Sequence, residues 1–159
     1  MTIVEITIAN DYRKAIVDEV DKDFRSTTLY RGGNHGTSLS YRVNSKNVKL
    51  SRTILERKLN RKLNPNEFCD FVNKNSFDCR RVNLRVASLT ELRRHTRKTI
   101  TNSSGYKGVS RDKRKQQWRA DISINNRDVW LGNYDHPEHA YAAYCRAAEK
   151  HYGEFACLE

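Results

Sequence analysis

With 159 residues, 37% of them hydrophobic, the chain has room for one ordinary domain or two small ones, and two modest cores are expected. No stretch approaches the roughly 20 apolar residues of a membrane span, or the apolar run of a signal peptide, so a soluble intracellular protein with no membrane partner is expected. The net charge of +11 is unevenly spread: residues 80–119 carry 13 basic and 2 acidic side chains, against 14 and 10 in residues 1–79 and 3 and 7 in residues 120–159. A run of cations without alternating acids repels itself unless it meets a polyanion, which makes nucleic acid the expected partner. A membrane surface ranks second, because no basic helix presents a clear apolar face.

In chain order, "TIVEITIANDYRKAIVDEVDKDF" opens with period-two alternation and continues with spacing that reads as a short strand followed by a helix. Two β-prone runs then flank Gly32-Gly33 and Asn34-His35-Gly36, the pattern of a hairpin. From Lys49 to Lys62 the spacing turns helical, with Ile54, Leu55, Leu59 and Leu63 on one side, until Pro65 breaks it. Ser88 with Glu91 three residues on is a capping-box pattern, predicting a short basic helix from Leu89 to Lys98. "TITNSSG" reads as a linker, placing a domain boundary near Thr101 and dividing the chain into 1–100 and 101–159.

Beyond it, "GYKGVS" supplies a short strand and "RDKRKQQ" a basic loop. In "WRADISI", Trp118, Ala120, Ile122 and Ile124 alternate with Arg119, Asp121 and Ser123, the mark of a strand with one buried and one open face. Asn125-Asn126 is a tight turn into "RDVWLGNY", where Val129 and Leu131 are expected to face the core and Trp130 the opposite side. "DHPEHAYAAYCRAAEKHYGE" reads as one helix with Asp135 as N-cap, Pro137 in the first turn and Gly153 as the stop. The expectation is a three-stranded antiparallel sheet packed on one helix, with Lys107, Arg111, Lys113, Arg114, Arg119 and Trp130 on the face away from the helix. Such a sheet fits the major groove, where Arg and Lys donate to guanine edges and phosphates. The four cysteines, Cys69, Cys79, Cys145 and Cys157, form no Cys-x-x-Cys pair and match no histidine spacing, so neither a zinc site nor a disulfide framework is expected.

The segment from "GYKGVS" to "HYGEFA" resembles the ethylene-response-factor, or Apetala-two, DNA-binding domain along about fifty residues, through its Tyr-Lys-Gly-Val opening, Trp-x-Ala-x-Ile strand, "WLG" and alanine-rich helix. The resemblance implies that the sheet enters the major groove and that Lys107, Arg111, Arg119 and Trp130 touch duplex DNA, with Lys113 and Arg114 in a variable loop. Plant members carry arginines where this chain has Ser110, Asp112 and Ser123, so their base preference does not transfer.

Upstream, "CDFVNKNSFDCRRVNLR" resembles the HNH homing-endonuclease motif: Asp70, Asn73, Asp78, Arg80, Asn83, Leu84 and Arg85 fit its frame. The departures fall on the chemistry. Phe71 stands where the general-base histidine belongs, Cys79 replaces a supporting asparagine, and Ser51 replaces a histidine of the preceding helix. The resemblance implies an α+β fold, with a degenerate ββα-metal module of the HNH type ahead of the sheet domain, in the order of phage-type proteins. Phenylalanine neither accepts a proton nor orients water, and losing general-base help costs about 10²–10⁴ in rate.

The favoured expectation is a non-catalytic DNA-binding protein of the bacterial cytoplasm, encoded by a phage or mobile element and acting as a regulator, or as an inhibitor of a protein or nucleoprotein target. Arg80, Arg81 and Arg85, with Arg93 and Arg94, would hold DNA backbone. The alternative is a weak nickase with Mg²⁺ on Asp70 and Asn83. A general RNA- or protein-binding module is a third reading, disfavoured for RNA because the sheet lacks clustered aromatics. His35 and His95 have no spacing that aims them at Asp70.

Overall fold

The computed structural model describes residues 2–32, 38–96 and 102–158. The chain divides into two compact units, Met1–Leu89 and Thr90–Glu159. The expected boundary near Thr101 and the turn at His35 lie outside the described residues.

The first unit opens with strands β1 (Ile3–Ile8) and β2 (Asp11–Asp18), paired antiparallel from Ile3 opposite Asp18. Strict alternation buries Val4, Ile6 and Ile8 on one face of β1. The helix expected after the first strand is instead this second strand followed by a 3₁₀ segment, Glu19–Ser26. β-branched Ile16 and Val17 suit a strand, and Asn10 makes the turn that returns the chain. β3 (Tyr30–Gly32), β4 (Ser38–Val43) and β5 (Lys46–Lys49) form an antiparallel sheet in that order. α1 (Leu50–Leu59) stops at Asn60, which takes the left-handed conformation at φ 52° and ends the helix before Pro65. Leu50, Ile54 and Leu55 join Val4, Ile6, Val17, Phe24, Leu29 and Leu84 in one core. Burying such side chains contributes about 1.5–3 kcal/mol each.

β6 (Phe68–Phe71) pairs antiparallel with β7 (Leu84–Ala87), setting Asp70 opposite Arg85 and Phe71 opposite Leu84. The intervening loop is tied to β2 by the Ile16 amide donating to Phe77 and the Cys79 amide to Ile16, both at 2.8 Å.

α2 (Leu89–Arg94) leads into the second unit. There β8 (Val109–Asp112), β9 (Gln117–Ile124) and β10 (Arg127–Tyr134) form an antiparallel sheet in the order β10-β9-β8, backed by α3 (Pro137–Tyr152). Val109, Ala120 and Ala140 pack together at one end, and Ile122 with Tyr144, Ala148 and Tyr152 at the other. Alanines let the helix lie close to the strands. Both turn asparagines are left-handed, Asn125 at φ 51° and Asn126 at 61°, as the tight turn requires. Two expectations are corrected. His136, not Asp135, is the N-cap of α3, because the Asp135 carboxylate accepts a bond from Gln117 at 3.0 Å. Val129, expected in the core, is 39% exposed, while Leu131 is half-buried against both clusters. Val129 sits near the hairpin end, and the β9–β10 register shifts between Trp130 and Gly132, a bulge that alternation does not reveal.

Candidate nucleic-acid interface

The face of the sheet turned from α3 is defined by register. Ser110 pairs with Arg119 and Arg119 with Asn133; Asp121 pairs with Trp130 and Ser123 with Asp128. Cross-strand partners share a face, so these seven residues line the open side. Trp130 is 59% exposed and donates its indole N–H to Asn133 at 3.1 Å, which restrains the ring. Arg119 is paired with Asp121 at 2.7 Å. With both side chains substantially exposed, that pair is screened by solvent and holds weakly, and its guanidinium is readily exchanged onto another acceptor.

The other residues expected on this face divide differently. Arg111 pairs with Trp118, whose alternation belongs to the helix side, and its guanidinium stacks on the Trp118 ring at 4.9 Å. The Lys107 ammonium, also expected on this face, donates to the Arg94 carbonyl at 2.7 Å and to that of Thr96, at and just beyond the end of α2. Lys113 and Arg114 lie exposed in the β8–β9 hairpin, and the loop is shaped by Asp112, whose carboxylate accepts the amides of Arg114 and Lys115. Those amide bonds, that of Lys115 foremost, hold the Asp112 carboxyl below its ordinary value despite the opposing effect of desolvation. The side chains of Lys113, Arg114 and Lys115 make no hydrogen bond or ion pair among the described residues. Sequence reasoning missed Lys115, although it stands in the same basic run, and missed the acid Asp128 as a member of the face.

On α2, Arg93 is exposed, and Arg94 lies over the Tyr152 ring at 4.9 Å. Both border a cavity of about 510 Å³ whose lining includes Arg119, Asp121, Ser123 and Asp128.

In the first unit, each arginine of "RRVNLR" meets an acid from elsewhere in the chain or loop. Arg80 grips Asp78 with two bonds, 2.8 and 2.6 Å, and Arg81 grips buried Asp21 at 2.7 and 3.0 Å. Arg85 pairs with Asp70 at 2.8 Å, both side chains largely buried. Breaking one side of such a buried pair costs about 3–5 kcal/mol. The frame residues knit the loop: Asn73 donates to Asp78 at 2.9 Å, and Asn83 accepts the Asn73 amide at 2.9 Å while donating to the Asp78 carbonyl at 2.7 Å. Mg²⁺ held by Asp70 and Asn83 would compete with the Arg85 guanidinium at one Asp70 oxygen and with the Asn73 amide at Asn83 Oδ1. Among the described residues, no group of three His, Cys, Asp or Glu side chains is placed to hold a metal. Phe71 packs against the core of the first unit. His95 is buried and its amide donates to the Glu91 carbonyl. All four cysteines are free thiols, and burial pushes Cys69 up to about 11.

A small antiparallel sheet covered on one side by a helix, and offering an aromatic and exchangeable cations on the other, is the architecture of a β-sheet DNA-binding domain. Residues 104–154 match the AP2 domain, and an AP2 DNA-binding domain therefore occupies that segment of the chain, which gives the protein a role in binding double-stranded DNA. No curated protein and no solved structure matches the chain. Among the described residues, no helix is long and apolar enough to cross a membrane.

Proposed function

We propose that the chain is a non-catalytic DNA-binding protein derived from an HNH homing endonuclease, holding duplex DNA through the open face and basic hairpin of residues 109–134. The observation that carries the binding half is the AP2 match together with an exposed Trp130 on the open face and three loop cations whose side chains make no ion pair among the described residues. The non-catalytic half is supported by the chemistry at the expected HNH centre: Phe71 is spent on packing, and Asp70 is committed to Arg85. Arg93 on α2 is the best placed of the remaining arginines to add a phosphate contact, because Arg80, Arg81 and Arg85 are held by carboxylates. A protein of this kind acts by occupancy, as a regulator or inhibitor encoded by a phage or mobile element and working in the host cytoplasm.

The test is a supercoiled-plasmid assay with Mg²⁺ and with Mn²⁺, binding being read on the same samples. The wild type is expected to bind the plasmid and leave it uncut. Nicking by the wild type that disappears in Asp70→Asn, a change that keeps the side-chain volume, would overturn the non-catalytic reading and restore the nickase.

A further inference from the structure

The open face of the sheet is not the basic surface that the chain's charge suggests. Its central cation, Arg119, lies next to Asp121, and Asp128 stands two residues before Trp130 on β10. The uncompensated cations sit at the rim, in the β8–β9 hairpin. A carboxylate on a polyanion-binding face opposes phosphate contact, so it has either no part in binding or a part directed at something other than phosphate. Asp121 already has a partner in Arg119. Asp128 makes no hydrogen bond or ion pair among the described residues, and the fold leaves its carboxylate free to accept.

Three strands at about 4.8 Å spacing make a surface roughly 10 Å across, which enters the major groove of about 12 Å but not the minor groove of about 6 Å. In the major groove the donors that a carboxylate can meet are exocyclic amino groups, and the N4 amino group of cytosine has an acceptor on one side only, the O6 of the paired guanine, whereas adenine N6 lies between its own N7 and thymine O4. We propose that Asp128 is a specificity-determining residue that accepts from cytosine N4, while Lys113, Arg114 and Lys115 hold the flanking phosphates. Trp130, restrained by Asn133, fills the groove beside it. The inference rests on the duplex-binding reading above and adds the base that the face selects.

The experiment is selection of binding sites from a randomised duplex library at fixed salt, with the wild type, Asp128→Ala and Asp128→Asn. The wild type is expected to require cytosine at one position. Asp128→Ala should reduce that preference about tenfold, within the range known for single base contacts, while binding overall tightens because a negative charge has gone. Asp128→Asn should move the preference toward adenine, whose N6 and N7 suit an amide. Unchanged preferences in both variants, with duplex binding intact, would overturn the role of Asp128 and leave the DNA-binding reading standing. Absence of duplex binding by the wild type would remove both. Asp128 is exposed, so unfolding is not expected to mask the result, and equal thermal stability of the three proteins confirms that.

Discussion

Gly108 holds a left-handed backbone at φ +72°, and a Cβ built on it would lie 2.1 Å from Tyr144 Cδ2. Two constraints therefore act on one position: the conformation disfavours any L side chain, and the ring of a buried α3 residue occupies the space. Gly108→Ala is expected to destabilise the second unit by about 2 kcal/mol or more, measured by chemical denaturation. A loss under about half a kcal/mol would mean that Tyr144 yields without consequence. The glycine was visible in "GYKGVS" as part of a family pattern, but its cause, the close approach of a residue thirty-six positions later, was not. Lys107 beside it shows the same limit. A lysine in a basic run reads as a phosphate contact, and only the folded chain reveals that carbonyls of Arg94 and Thr96 have claimed it.

Individual elements were legible where their signal is periodic. Alternation in β9 and the alanine spacing of α3 define the second unit, because each pattern reports burial against a single neighbour. The N-terminal hairpin was read as a strand and a helix because "AIVDEV" suits either period, and pairing with β1 decides between them. The charge of the β6–β7 segment was misleading for a related reason: the acids that neutralise its arginines lie outside the window in which the charge was counted. Asp78 gives that pairing a measurable consequence. The hydrogen bonds from the Arg80 side chain, foremost among the causes, hold the Asp78 carboxyl below its ordinary value. A depressed carboxylate stabilises the fold fully above the unfolded value, about 3.9, and that contribution is lost as pH falls through the lower folded value. Arg80→Gln is expected to lower stability at neutral pH and to flatten the acid loss below about pH 4, followed by thermal unfolding across a pH series. Superimposable pH profiles for the two proteins would show that the pair stabilises nothing.

At the scale of the molecule, the two units carry basic charge in different states. In the first, Arg80, Arg81 and Arg85 are held by internal carboxylates and define loop geometry; in the second, the hairpin side chains of Lys113, Arg114 and Lys115 make no ion pair among the described residues, and Trp130 is exposed on the same sheet. The net charge of +11 pointed to nucleic acid without indicating which of its cations are available. The measurement that decides this is the salt dependence of duplex binding for the wild type and for the Lys113→Ala, Arg114→Ala, Lys115→Ala triple variant. Each neutralised phosphate contributes about 0.9 to the slope of log K against log salt. The account predicts a steep negative slope for the wild type and one shallower by up to about 2.7 for the triple variant. A wild-type affinity indifferent to salt, or a triple variant with the wild-type slope, would contradict it.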